Sequence, residues 1–146
     1  MITRRRMLGA ALLAFIPVAL PASARDAAEP NGGLTESESN AVSILRRYAS
    51  AEASYYAANK RYATVSQLVA AEYVDKAYSD GSEHSGYRFM LSGFGPNGFD
   101  IEAEPITPES GRYSFNVIED YVIRFEKGPR APSRTEGKVV GVDPFE

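Results

Sequence analysis

Residues 35–59 read TESESNAVSILRRYASAEASYYAAN, and this stretch decides the fold. Wound at about 100° per residue, Ala41, Ile44, Leu45, Tyr48, Ala51, Tyr55 and Ala58 fall on one side of a helix. Ser43, Arg46, Arg47, Ser50, Ser54 and Ala57 fall opposite. Thr35 and Glu38 form a capping box: the Thr hydroxyl accepts an early backbone N–H and the Glu carboxylate reaches back, where it also suits the positive helix end. Gly32 and Gly33 before it and Asn59 after it bound the element. At about 1.5 Å per residue the helix is roughly 36 Å long, more than a lone amphipathic helix sustains without a surface over its stripe. Glu52 lies inside the apolar sector. Because unpaired carboxylates are rarely buried, it is expected at the stripe's edge, snorkelling or bonded to a Tyr hydroxyl; a functional buried carboxylate is the alternative.

The chain beyond Asn59 supplies a sheet for that stripe. Thr64 and Gln67 repeat the capping logic for a short second helix over 65–72, with Tyr62, Leu68, Val69 and Tyr73 folding back onto the end of the first. Residues 78–86, rich in Ser, Asp and Gly, read as a loop. From Tyr87 the period changes to two. YRFMLS (87–92) and FDIEAE (99–104) alternate about the turn GPNG (95–98), and RYSFNV (112–117) and YVIRF (121–125) make two more strands. Tyr87, Phe89, Leu91, Ile101, Ala103, Tyr113, Phe115, Ile123 and Phe125 are the face expected against the helix. The fold class is therefore α+β: a long N-terminal helix on a small antiparallel sheet of about four strands, plus a short second helix, with the domain spanning 35–128. Burying that face, at roughly 25 cal/mol per Å², is what offsets the ordering entropy. Residues 129–146 gain Pro and Gly and read as a tail. Val139, Val140 and Val142 could add an edge strand, in cis or to a partner, the alternative being a poorly ordered terminus.

Residues 1–24 read as an export signal: Arg4, Arg5 and Arg6, an apolar run over 7–20, then Pro-Ala-Ser-Ala with cleavage after Ala24. TRRRML (3–8) also resembles a twin-arginine export motif, and Sec export fits as well. The apolar run is short for a membrane span, which needs about 20 residues, so no stable anchor is expected after cleavage; an uncleaved tether is the alternative. Residues 25–34 read as a flexible linker. The expected location is periplasmic or secreted. No cysteine occurs, so neither a lipid anchor on sulfur nor a disulfide is available. Removing the signal leaves 13 basic against 19 acidic residues, a net charge of −6 on 122 residues. That balance argues against nucleic acid, which calls for a cationic surface.

No constellation names a reaction. G-x-S-x-G, H-E-x-x-H and a phosphate-binding Gly loop are all missing from the sequence. His84 stands alone on a Ser/Gly loop, without a second His or a Cys to build a zinc site. Asp100, Glu102 and Glu104 alternate on one strand and share a sheet face. They are the candidate ligands for a hard cation such as calcium, or a glycosidase pair; a solvated strand face opposite Arg88 explains them too. Tyrosines could stack on sugars, but their periodicity fits core packing. The expectation is a non-enzyme with no cofactor and no resident metal.

The order of parts resembles the globular domain of type IV pilin-like proteins and of the pseudopilins of type II secretion. The matching pieces are Tyr55-Tyr56 with Arg61-Tyr62 and Leu68, SGYRF (85–89), FDIEAEPI (99–106), and YSFNV (113–117) leading to VIR (122–124). The resemblance covers roughly 41–128. It implies a helix followed by a small antiparallel sheet, and a role as an accessory of an envelope or secretion machine whose partner is another envelope or secreted protein. The family's N-terminal signature, a Gly cleavage site followed by Phe-Thr-Leu-x-Glu, is absent, so filament polymerisation by the family's mechanism is not implied. The alternative is a small periplasmic ligand-binding protein or hydrolase using the acidic strand face, with or without calcium.

Overall fold

The computed structural model describes residues 33–92 and 95–146. The expected export signal, with its expected cleavage after Ala24, and most of the expected linker lie outside the described residues. The chain is α+β. Helix α1 (Glu36–Asn59) and helix α2 (Val65–Ala70) precede a 3-10 turn (Lys76–Tyr78). Six strands come after it: β1 (Glu83–His84), β2 (Tyr87–Ser92), β3 (Asp100–Pro105), β4 (Tyr113–Ile118), β5 (Ile123–Lys127) and β6 (Lys138–Val139). All pairings are antiparallel and the spatial order is the chain order, so the sheet is a single meander.

The capping boxes are formed. Thr35 N donates to Glu38 Oε2 at 2.8 Å and Glu38 N to Thr35 Oγ1 at 3.3 Å; Thr64 N reaches Gln67 Oε1 at 2.9 Å, with the return bond at 3.1 Å. Helix α1 lays Ala41, Ile44, Leu45, Tyr48 and Ala51 on the sheet, joined by Val42 and Ala49. Tyr55 is half-buried and Ala58 is exposed, so the stripe ends one turn before the helix does.

On the sheet, the register pairs Phe89 with Ala103, Ile101 with Val117 and Phe115 with Phe125. These side chains, with Tyr87, Tyr113 and Phe99, make the core, and Leu91 lies at its half-buried margin.

The sheet has six strands where about four were expected, and both additions are two-residue edges. The Ser/Asp/Gly loop contains β1, which turns into β2 across Ser85-Gly86; both residues hold positive φ, 53° and 81°, the conformation a two-residue hairpin turn requires. The stretch 129–146 adds β6, in cis, with Arg124 opposite Val139. It also sends Phe145 onto the core, its ring 4.4 Å from Phe125 and 5.4 Å from Tyr113. What reads as a tail thus belongs to the packed body, because its few apolar residues are spaced to bridge an edge strand and the core rather than by a strand period. Leu34, assigned to the linker, is buried too, and lines one surface groove with Phe145.

Residues 128–137 cross the outer face of the sheet, opposite α1. Ser114 Oγ donates to Gly128 O at 2.5 Å, Ala131 N to Glu104 Oε1 at 3.0 Å, and Asn116 Nδ2 to Arg134 O at 3.2 Å. Arg134 grips both oxygens of Glu119 at 2.5 and 2.7 Å. β4 is consequently buried on both faces, polar Ser114 and Asn116 included.

Candidate functional site

The residues that reach solvent with a binder's chemistry gather along the two flanks of α1. On one flank Ile44, Arg47, Tyr48, Ala51 and Ser54, at helical spacing, form one wall of a groove. Tyr73, Val74, Asp75 and Tyr78 form the other, enclosing about 520 Å³, within the size range of ligand and peptide sites. Arg47 Nη1 donates to Tyr78 Oη at 3.3 Å, and the Tyr48 hydroxyl donates to Tyr78 O. Asp75 accepts Ala77 N at 2.8 Å, capping the 3-10 turn. Burial pushes the Tyr48 phenol up to about 12, so it stays a proton donor at any physiological pH. Tyr73, 43% exposed, stands edge-on to Tyr55 at the groove mouth.

On the opposite flank Arg46, Ala49, Ser50, Ala53, Ile123 and Tyr121 line a shallower groove of about 370 Å³. Tyr121 is 44% exposed and holds φ 60°, a conformation that is unusual for a bulky residue. Its ring lies 5.9 Å from Phe99, which also meets Tyr62 at 5.1 Å; Tyr62 in turn stacks on Tyr56 at 4.7 Å. The Tyr62 phenol is pushed up to about 12, by burial first and then by the neighbouring Tyr121 hydroxyl.

The acidic row sits elsewhere. Asp100, Glu102 and Glu104 do share one face of β3, but residues 128–137 roof that face: Asp100 is buried and Glu102 and Glu104 are half-buried. The solvated strand face expected there is therefore not what forms. Nor does Arg88 serve the row; although it lies opposite Glu104 in register, its guanidinium bonds Glu83 at 2.8 Å. Burial raises the Asp100 and Glu102 carboxyls above their ordinary values; for Glu102 the neighbouring Asp100 and Glu104 add to it. Among the described residues no three His, Asp or Glu side chains converge on a metal-sized space. Asp80, in the Ser/Asp/Gly loop, spends a carboxylate oxygen on Leu91 N at 2.9 Å. His84 Nε2 lies 2.7 Å from Ala77 O and its ring packs against Tyr78 at 4.4 Å, behind the groove wall.

Two carboxylates take roles that residue patterns did not disclose. Glu38, beyond its cap, is fully buried and receives Arg112 from the turn that leads into β4. Glu52 is fully buried and bonded to a backbone amide, Ala63 N at 2.8 Å, rather than to a Tyr hydroxyl, and it lies under the stripe rather than at its edge. The misplaced charge within the apolar sector was the available signal for Glu52. For Glu38 no local pattern marks a partner 74 positions away.

No protein-family model matches the sequence, and neither curated proteins nor solved structures give a match. Among the described residues no helix is long and apolar enough to cross a membrane.

Proposed function

We propose that the chain is an exported, non-catalytic interaction domain of pilin-like architecture that works in the periplasm or outside the cell as an accessory of an envelope or secretion machine. The flanks of α1 meet its partner protein. One observation carries the reading: three tyrosines are 37–44% exposed, Tyr73 and Tyr121 on the two flanks of α1 and Tyr56 on the helix itself, which also presents Arg46 and Arg47. Tyrosine and arginine are the residues enriched at protein interfaces, because they combine large contact area with directional polar groups at modest entropic cost. The basic n-region and Ala-Ser-Ala end support export, and a helix followed by an antiparallel meander supports the pilin-like reading.

The test is site-specific crosslinking of residues 25–146 in extract of the native envelope, with photoreactive groups at Tyr73, at Tyr121 and, as a control, at Glu136. A discrete adduct from the two tyrosine positions, absent from Glu136 and lost with Arg47→Glu, is expected. Equal labelling from all three positions refutes the assignment of the helix flanks as the partner surface.

A further inference from the structure

At the junction between the two helices, Glu52 has no solvent exposure and its carboxylate is divided: Oε2 accepts the Ala63 amide, while Oε1 has no hydrogen-bond partner among the described residues. Ala63, itself fully buried, immediately precedes Thr64, the cap of α2. The neighbouring Tyr62 amide is tied to Gly95 O at 3.0 Å, and Val65 and Leu68 carry α2 into the core. The Glu52–Ala63 bond is thus the polar tether that draws the start of α2 down onto α1. Among the described residues no charged or titratable side chain shifts Glu52: burial raises its carboxyl and the Ala63 amide lowers it.

A neutral carboxyl in this position costs less than an ionised one, which leaves an anionic oxygen without a donor among the described residues. Such a group is relieved by letting water in, and the bonded Ala63 leads directly into six-residue α2, whose Ser66 and Ala70 are exposed. We propose that Glu52 makes the α1–α2 junction a pH-sensitive hinge: neutral, it holds α2 docked, and on ionisation it releases the segment around Ala63 and α2 to admit water, while the sheet and the first turns of α1 stay closed. The burial-raised value of about 7 for Glu52 sets this change near neutrality, where an ordinary glutamate would already be ionised. Since α2 runs directly into the Tyr73–Tyr78 wall, its release also loosens one side of the groove. The hinge itself does not depend on any partner.

The experiment is amide hydrogen exchange followed residue by residue on residues 25–146, corrected for intrinsic base catalysis. From about pH 5 to about pH 9, protection of the Ala63, Leu68 and Ala71 amides is expected to fall about tenfold or more, with β3 and β4 unchanged. In Glu52→Gln the fall disappears. Carboxyl carbon NMR of the unsubstituted protein provides the second readout, independent of any variant's folding, and Glu52 should titrate well above the other glutamates. Titration with the bulk of the carboxylates, or a loss of protection that is equal across the sheet or retained in Glu52→Gln, overturns the proposal.

Discussion

The buried carboxylate of Glu38 holds Arg112 by both backbone and side chain: it accepts the Arg112 amide at 2.7 Å, Nε at 3.3 Å and Nη2 at 3.0 Å. The same Arg112 Nη2 donates to Gly33 O at 2.6 Å. One acid thereby caps α1 and fixes the turn into β4 against it, so helix start and sheet are joined by a paired charge. Burial, the largest influence, works to raise the Glu38 carboxyl; the Arg112 side chain and the Thr35 and Arg112 amides outweigh it and hold the group below its ordinary 4.5.

Glu38→Gln is accordingly expected to cost about 2–4 kcal/mol at neutral pH, since it breaks a buried, multiply bonded pair. With the folded-state value depressed, the stability that ionised Glu38 supplies is complete above 4.5 and is lost as pH falls through that lower folded-state value. Urea midpoints of the two proteins should therefore converge in strong acid. A gap that persists there would assign the effect to shape rather than charge.

Glu52 has the opposite sign. Its folded-state value is raised from 4.5 to about 7 by burial, which the Ala63 amide offsets only in part. The folded protein binds the proton more tightly, so this contribution is whole below 4.5 and is lost as pH rises through about 7. The ceiling on that loss is on the order of 3 kcal/mol. Glu52→Gln should melt higher than the parent under alkaline conditions and indistinguishably from it near pH 4, measured by circular dichroism. A lower melting temperature at both ends would mean that the amide does not fit where the acid does.

A Cβ on Gly111 would overlap the Tyr87 hydroxyl and lie 2.6 Å from its Cζ. Tyr87 is fully buried and donates to Tyr113 O at 2.7 Å, so it cannot swing aside. Gly111→Ala is expected to cost about 2–4 kcal/mol through overpacking. Adding Tyr87→Phe, which removes the atom in the way, should recover part of that in a double-mutant cycle. Simple additivity would show that the strain is relieved elsewhere.

Which parts of this architecture could be read from residues depends on the range of the forces involved. Both capping boxes, the apolar stripe of α1 and the alternation in β2–β5 are local, and a window of a few residues contains their cause. β1 and β6 are two residues long, too short for any period, and exist only because a neighbouring strand offers free backbone groups. The segment 128–137 is ordered by Ser114, Asn116, Glu104 and Glu119, none of which lies within ten positions of its contact. That roof is also why the row Asp100, Glu102 and Glu104 looked like an open acidic face: alternation shows that three carboxylates share a side, not what lies over that side. The tyrosines divided in the same way, Tyr48, Tyr87 and Tyr113 going to the core while Tyr56, Tyr73 and Tyr121 remain exposed.

Phe145→Ala tests the C-terminal packing. The ring is half-buried against Phe125 and Tyr113, and its loss should cost about 2 kcal/mol. Deleting 138–146 removes β6 as well and should cost more, with new near-ultraviolet signal changes from Tyr113, whose hydroxyl donates to Glu146 O. Unchanged stability in both would place the terminus outside the cooperative unit.

Tyr121 separates stability from use. At φ 60°, in the turn from β4 to β5 closed by Tyr121 N to Ile118 O at 2.8 Å, a glycine would relieve roughly 1 kcal/mol of backbone strain. Against this stands the loss of one half-exposed ring from Phe99. Tyr121→Gly should therefore leave the unfolding free energy within about 1 kcal/mol of the parent. Strain kept at a position where relief is so accessible points to a demand on the side chain rather than on the fold. Under the proposed function, Tyr121→Gly should abolish the specific adduct formed from Tyr73 while the protein remains folded. If instead the variant unfolds easily and Tyr56→Ala leaves the adduct intact, Tyr121 is a packing residue and the partner surface lies on the Arg47 flank alone.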